Sequence, residues 1–512
     1  MVETLTGTNR SAGTPYTELL DADTHPVRDI LRTDSPMPPG PTKVPAEIYH
    51  SREIHEQEIE NIWKRSWQLA CHEDELKEVG DYVVYDITRL SFIVVKSGED
   101  EYKAFYNQCL HRGRQLADQD GKRARHFRCS FHGWSWNLDG SLNEIPCQWD
   151  FPSIEAGNYR LPEVQTARWG GFIFINPDPE AEPLAEYLQD LADHFTLLPF
   201  ERRYKALHVA KVLRCNWKLA QEAFMEAYHV VATHPTILDI MGDANTKYDV
   251  FGNYSRAISP QQVESPHIAP YKPDEQAREF TRWKHPLSGL LYELGEDGLV
   301  HISKGSGEVS RFHADGSWVD GPITHADPNM CNWVGGKQLP DSDSLPLTRV
   351  RDPGPGETKR AILAEQERER LREDLGDLMD SVSDAELVDV AYFSVFPNWH
   401  PWGSFNPIFY RFRPNGDNPE ECIHECWYMM PVPEGQERPE PAPVIWLGPD
   451  DDYTDAAELG ALAKVFNQDV HNLPQVHKGL KGMKNPEVIF ADYQESKIRH
   501  FYKHYKAHMG MD

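Results

Sequence analysis

Two short runs of the chain carry the residue types that bind metals. Cys109-Leu110-His111-Arg112-Gly113 and, with 17 residues between His111 and Cys129, Cys129-Ser130-Phe131-His132-Gly133-Trp134 are the two runs. Each run offers one thiolate and one imidazole. A structural zinc site is one reading, although zinc spacings usually pair Cys with Cys and His with His. The other reading is a two-iron, two-sulfur cluster in which one iron takes both thiolates and the other both imidazoles. That arrangement raises the reduction potential above that of an all-Cys cluster. Gly113 and Gly133 would supply the tight turns that bring backbone close to sulfide. Cys71, Cys147, Cys215 and Cys331 are isolated. Cys422, His424 and Cys426 share one face at strand spacing, but no fourth ligand lies near them, and they read as ordinary strand residues.

A second constellation lies further on: Asn216-Trp217-Lys218, Glu222, Glu226-Ala227-Tyr228-His229 and His234-Pro235. On one continuous helix His229 and His234 would point about 140° apart. They share a metal only if the helix opens or ends between them, and Pro235 is consistent with such an end. A carboxylate would complete the set. Leu462, Phe466, Asp469, Val470 and Leu473 fall on one helical face, and a carboxylate within an apolar stripe is costly unless paired or metal-bound. Asp451 and Asp492 are rivals without such a face. Glu226, three residues before His229, shares its helix face.

The elements that must position these residues follow from periodicity. Residues 1–50 read as an N-terminal arm, poorly packed where Pro36, Pro38, Pro39, Gly40, Pro41 and Pro45 punctuate it. Ser51 to Trp67 is helical. Short strands run over Asp81–Asp86, Leu90–Val95, Lys103–Asn107 and Trp169–Asn176, with an Asp139-Gly140 hairpin between. Helices are expected over about 185–195, 216–231 and 357–380. Ser383-Asp384-Ala385-Glu386 reads as a capping box. Strands fill about 392–432, and a last helical region covers about 455–480. The fold class is α+β: a small all-β iron–sulfur domain over 51–180 with its leading helix, then a larger domain over 181–512. The latter combines an antiparallel sheet with helices and a long insertion at about 240–390.

The two Cys/His loops with Arg112-Gly113 and Gly133-Trp134, the Glu226–His234 stretch, and Phe466-Asn467-Gln468-Asp469 with Gln475, His477 and Gly479 resemble the Rieske non-haem iron oxygenases. The likeness is to their terminal oxygenase (alpha) subunits, of the aromatic-ring-hydroxylating dioxygenase type, with a helix-grip catalytic domain. The resemblance implies a [2Fe-2S] cluster on Cys109, His111, Cys129 and His132, and a mononuclear Fe(II) on His229, His234 and Asp469. It implies that Glu226, Asp in many relatives, links a cluster imidazole of one subunit to an iron-ligating imidazole of the next. Relatives often carry Asn where this chain has Ala223. The implied activity is hydroxylation of an organic substrate, aromatic or alicyclic, by activated O₂. Hydroxylation of a C–H bond or removal of an O- or N-methyl group is the alternative. An electron-transfer Rieske protein without catalytic iron is the reading from another class. No G-x-G-x-x-G fingerprint follows a strand, so electrons from NAD(P)H must arrive through a partner ferredoxin or flavin reductase. Transfer between subunits implies a ring, a homotrimer or an α3β3 assembly.

Composition narrows the setting. The chain has 512 residues and a net charge of −29, which argues against nucleic acid as a partner. No apolar run approaches the ~20 residues of a membrane-spanning helix. Met1 to Arg10 lacks the marks of a secretory signal, and eight cysteines are too sparse for a disulfide scaffold. A cytoplasmic protein is expected. Against the acidic background, Lys103, Arg112, Arg114, Lys122, Arg123, Arg125 and Arg128 gather around the first constellation. They read either as a paired, solvated face or as a collar steering an acidic redox donor.

Overall fold

A computed structural model describes residues 13–35, 38–268, 278–304, 307–339 and 350–511. The first region is all-β. Gln68–His72, Phe172–Asn176, Glu163–Trp169, Tyr102–Tyr106, Leu90–Lys96 and Tyr82–Ile87 form an antiparallel sheet in that spatial order. A three-stranded sheet of Phe127–Arg128, Ser135–Trp136 and Leu142–Glu144 stands beside it. Ile93, Val95, Phe105, Phe127, Trp134 and Trp136 close the core between them, with Cys109 and Cys129 in the same cluster.

The second region is built on an eight-stranded sheet. Its order is Lys247–Val250, Tyr254–Ser259, Val390–Val395, Trp399–Pro401, Ile408–Asn415, Asn418–Pro431, Arg203–Leu213 and Val444–Leu447. Every pairing is antiparallel except the last, where Val444–Leu447 runs parallel to Arg203–Leu213. Trp217–Glu222 packs on the central strands, and Leu462–Lys481 packs against that helix. Of the stripe expected from its spacing, the long helix buries Phe466, Asp469 and Leu473, with Leu462 and Val470 half-buried beside them. The two regions are therefore the α+β arrangement anticipated from sequence.

Between Ser259 and Val390 the chain adds a separate six-stranded antiparallel meander, from Arg278–Glu279 to Trp318–Asp320. Helix Pro328–Gly335 follows and lies against the meander strands Arg282–Lys284, Leu291–Leu294 and Val300–Ser303. Lys359–Leu375 and Asp384–Val388 then return the chain to the main sheet.

Four local expectations are corrected. The arm is not poorly packed where it is described: Tyr16–Asp21 and Asp29–Arg32 are helical and bury Tyr16, Leu20 and Leu31 against Ile258 and Ala385. The Tyr16 hydroxyl donates to Asp389 and the Thr24 hydroxyl to Asp384. Residues 1–12 and Pro36 lie outside the described residues. The helix expected over 216–231 is two pieces, Trp217–Glu222 and Val230–Thr233, because Phe224 and Met225 turn into the core of the sheet. Around 185–195, Leu184–Leu188 is α-helical, but a tighter 3₁₀ stretch, Gln189–Phe195, replaces the rest. Finally, Ser383 does cap its helix by accepting from the Glu386 N–H, but the Glu386 carboxylate binds Arg28 instead of returning to Ser383.

Candidate metal centres

The two Cys/His loops have the same backbone. The Cys109 N–H donates to the Arg114 carbonyl and the Gly113 N–H to the Cys109 carbonyl, at 2.7 and 2.9 Å. The Cys129 N–H donates to the Trp134 carbonyl and the Gly133 N–H to the Cys129 carbonyl, at 2.8 and 3.0 Å. Gly113 and Gly133 sit at φ of 78° and 80°, left-handed conformations in which a Cβ is strained. These turns aim pairs of backbone N–H groups at the sulfurs: His111 and Arg112 at Cys109, Phe131 and His132 at Cys129. Burial pushes the Cys109 thiol up. At Cys129 burial acts in the same sense, but its two N–H groups and the neighbouring Cys109 hold the thiol below its ordinary value.

The imidazoles complete the group. The His111 and His132 rings lie 4.5 Å apart, and His111 is stacked on Trp134 at 4.9 Å. Both cysteines are buried, whereas His132 is exposed, so the imidazole edge faces the surface. His111 Nδ1 is buried with no hydrogen-bond partner among the described residues. An orphaned imidazole nitrogen beside two thiols and a second imidazole fits a cluster with mixed ligands.

The basic residues nearby divide between the two readings. Lys103 pairs with Glu163, Arg114 with Asp118 and Lys122 with Asp81. Arg112 lies over the Phe131 ring. Arg123 and Arg125 are exposed.

In the second region, the break in the helix brings the other histidines together. His229 precedes Val230–Thr233 and His234 terminates it, with Pro235 opening the next turn. The rings then sit 5.1 Å apart. Asp469 reaches them from the long helix: its Oδ1 is 3.0 Å from His234 Nε2 and 3.7 Å from His229 Nε2. Among the described residues, these three are the one group whose ligand atoms all lie within 4.8 Å of one another. Asp451 and Asp492, the rival carboxylates, are not part of it.

Each imidazole is held from behind. Glu226 Oε1 lies 2.6 Å from His229 Nδ1, and Glu226 Oε2 accepts from the His229 N–H at 2.9 Å. Gln468 Oε1 lies 2.8 Å from His234 Nδ1. Both Nδ1 atoms are thus engaged, and both Nε2 atoms converge on Asp469, the orientation that outer partners impose on metal-binding histidines. Burial opposes a charged His229, but the Glu226 carboxylate outweighs it and raises the imidazole to about 9, with Asp469 adding to the effect. The donor set, two imidazole nitrogens and one carboxylate, fits iron(II).

Sequence reasoning missed Gln468; its position beside Asp469 on the helix was the available signal. Glu222 is also more than a helix-surface residue. It is buried, and its carboxyl accepts from the hydroxyls of Tyr49 and Tyr502. Burial raises it to about 8, although the two tyrosines lower it. Cys422, His424 and Cys426 are buried strand residues, and His424 Nδ1 lies 2.6 Å from the Tyr453 hydroxyl.

Comparison with known proteins matches these two regions separately. Residues 66–155 match the Rieske [2Fe-2S] domain, and residues 197–292 and 331–511 match the ring hydroxylating alpha subunit (catalytic domain). The carnitine monooxygenase oxygenase subunit of Escherichia coli (strain K12) is 30% identical over 214 residues, 41% of this chain and 57% of that protein. The biphenyl 2,3-dioxygenase subunit alpha of Rhodococcus jostii (strain RHA1) is 32% identical over 299 residues, 57% of this chain and 59% of that protein. The chain thus spans little more than half the length of these relatives. A solved quaternary ammonium Rieske monooxygenase shares the fold at a TM-score of 0.56 and 16% identity, over 92% of this chain and 96% of that one. Naphthalene 1,2-dioxygenase with indole bound does so at 0.52 and 19%, over 92% and 95%. The chain belongs to the ring-hydroxylating alpha-subunit family, with a Rieske domain ahead of its catalytic domain.

Proposed function

We propose that the protein is a terminal oxygenase component that hydroxylates a small organic substrate, aromatic or alicyclic, with O₂. One observation carries the reading: His229, His234 and Asp469 converge in a chain that also holds the paired Cys/His loops. Cys109, His111, Cys129 and His132 would hold the [2Fe-2S] cluster, and His229, His234 and Asp469 the mononuclear iron. When bound, these groups supply one-electron storage and O₂ activation. The chain's own residues prepare the site. Glu226 and Gln468 take up the Nδ1 positions and leave the Nε2 lone pairs for metal. Asp469, buried and flanked by Phe466 and Leu473, offers its carboxylate from a dry helix face. His132, at the exposed edge of its loop, is the side from which electrons enter or leave.

Electrons from NAD(P)H would arrive through a ferredoxin or flavin reductase, which the family uses as partners. Glu226 is placed to serve a neighbouring subunit's His132 or His111 while holding His229. That role needs a closed ring, a homotrimer or an α3β3 assembly. Exposed aromatics at both ends of such a contact support it: Phe131 and Trp149 near the loops, Tyr228 beside His229. All eight cysteines are free, which suits the reducing cytoplasm. No helix among the described residues is long and apolar enough to cross a membrane.

A second reading, one-atom insertion leading to hydroxylation or demethylation, is favoured by the likeness to the carnitine monooxygenase subunit. Iron analysis tests the site: about three irons per chain are expected, two in the cluster and one mononuclear. A value of two in fully active protein would refute it. Product analysis after turnover in ¹⁸O₂ then separates one-atom from two-atom insertion.

A further inference from the structure

The inserted segment reaches the proposed iron site directly, through Asn329. This residue lies on helix Pro328–Gly335, at the end of the stretch (293–330) that falls between the two matched parts of the catalytic domain. Its side-chain amide donates to the Ala232 carbonyl at 3.1 Å, between the two candidate ligands His229 and His234. Its backbone carbonyl accepts from Gln468 Nε2 at 3.2 Å. Its Oδ1 accepts from Asn472 Nδ2 at 3.1 Å, and the same Asn472 nitrogen donates to the Gln468 carbonyl at 3.0 Å. Asn329 is buried and Gln468 is fully so.

These bonds fix which way the Gln468 amide points. Its nitrogen is spent on the Asn329 carbonyl, so its oxygen must face His234 Nδ1, 2.8 Å away. A carbonyl oxygen only accepts. His234 Nδ1 therefore carries the hydrogen, and Nε2, beside Asp469, is the atom left to bind metal.

The helix that presents Asn329 is itself pinned at both ends. Asp327 caps its start, accepting from the N–H groups of Asn329 and Met330. The Asp327 carboxylate lies 2.9 Å from His285 Nε2, and its N–H donates to the Tyr292 hydroxyl. At the other end, Lys464 Nζ donates to the Lys337 carbonyl and to Gln338 Oε1, both at 3.2 Å. Lys464 belongs to the helix that carries Asp469 and Gln468, so the two helices are clamped together on either side of the site.

We propose that Asn329 is a positioning residue for His234, acting on Gln468 through its backbone carbonyl and on the turn between His229 and His234 through its side-chain amide, and that the inserted segment serves to set this candidate ligand's tautomer and orientation. The inference rests on the metal site proposed above. Its test uses the full-length protein and two readouts that do not depend on turnover. One is retention of mononuclear iron against a chelator, with the visible absorption of the iron–sulfur cluster as internal control. The other is the ¹⁵N signature of the His234 tautomer in protein stripped of mononuclear iron.

Asn329→Ala and Gln468→Leu should each weaken iron retention by roughly tenfold or more, with cluster absorption unchanged. Gln468→Leu should also lose the Nδ1–H tautomer preference. Lys464→Met, which loosens the same helix at its far end, should lower the melting temperature without shifting the tautomer. Wild-type iron retention in Asn329→Ala, or a wild-type tautomer in Gln468→Leu, would overturn the proposal. Should Asn329→Ala fail to fold, Asn329→Asp, which keeps the side chain's shape but not its donor to the Ala232 carbonyl, decides in its place. If the wild-type protein holds no mononuclear iron, the metal-site reading fails, and the tautomer measurement still decides whether Gln468 orients His234.

Discussion

Glu226 grips His229 twice, with one carboxylate oxygen 2.6 Å from the ring Nδ1 and the other accepting the backbone N–H at 2.9 Å. The ring is fixed in rotation as well as in protonation, because one side chain holds both its nitrogen and the backbone that carries it. Glu226→Ala should lower the affinity for mononuclear iron about 10- to 100-fold. Glu226→Gln, whose amide oxygen can still accept from Nδ1, should lose less. Iron titration followed by chelator competition ranks the three proteins.

Removing a proposed ligand should separate the two centres. Asp469→Ala should reduce iron from about three to about two per chain while the cluster spectrum stays intact. Metal analysis alongside visible absorption reads both at once.

Iron uptake by the metal-free site should be pH-dependent. His229 carries its proton up to about 9, mainly because the Glu226 carboxylate outweighs the penalty of burial. A metal must displace that proton. Apparent iron affinity should therefore rise with pH across the range below about 9, and the rise should be shallower in Glu226→Gln. A pH series of anaerobic iron titrations checks this.

Glu222 gives a stability effect of definite sign. Burial raises its carboxyl to about 8, against about 4.3 for an unfolded glutamate. Between those values the folded chain holds a proton that the unfolded chain has lost. The stabilisation is complete below the unfolded value and declines as pH rises toward about 8, by at most about 1.4 kcal/mol per pH unit. Glu222→Gln should flatten that decline in denaturant midpoints measured from pH 5 to 9.

The buried pair of Glu58 and Lys218 ties the segment before the Rieske sheet to the catalytic domain, with Tyr505 and Trp217 donating to the same carboxylate. Lys218→Met leaves that carboxylate without its countercharge in a dry site. A loss of roughly 3–5 kcal/mol is expected, and Glu58→Gln added to it should recover part. Thermal melts of the single and double variants measure both.

The proposed ligands were legible in the sequence because metal chemistry restricts residue type and spacing: Cys109, His111, Cys129 and His132 stand out in any context. The Leu462–Leu473 stripe likewise marked Asp469 as a carboxylate in the wrong company. The break after Glu222 was less legible, since Ala223 to Tyr228 carries no proline or glycine. There the burial of Met225 and the packing of Phe224 against the core, a tertiary effect, override helix propensity. The bonds of Gln468 and Asn329 were not legible, because they join positions separated by 139 residues, and polar side chains carry no periodic signal. The arm was misjudged because its prolines cluster near one end, while Tyr16, Leu20 and Leu31 further forward find apolar partners only in the folded chain.

Among the described residues, segments far apart in the sequence meet in space. The hydroxyls of Tyr502 and Tyr49, 453 positions apart, lie 2.9 Å from one another, and Tyr16 donates to Asp389 across 373. Contacts so distant in sequence incur loop-closure entropy before they return any energy. During synthesis Tyr49 and Glu222 emerge well before Tyr502, the partner both meet in the folded chain. Their packing thus waits for the helix Ser496–Met509, and a ribosome stalled before Ser496 would leave Tyr49 and Glu222 without the Tyr502 hydroxyl.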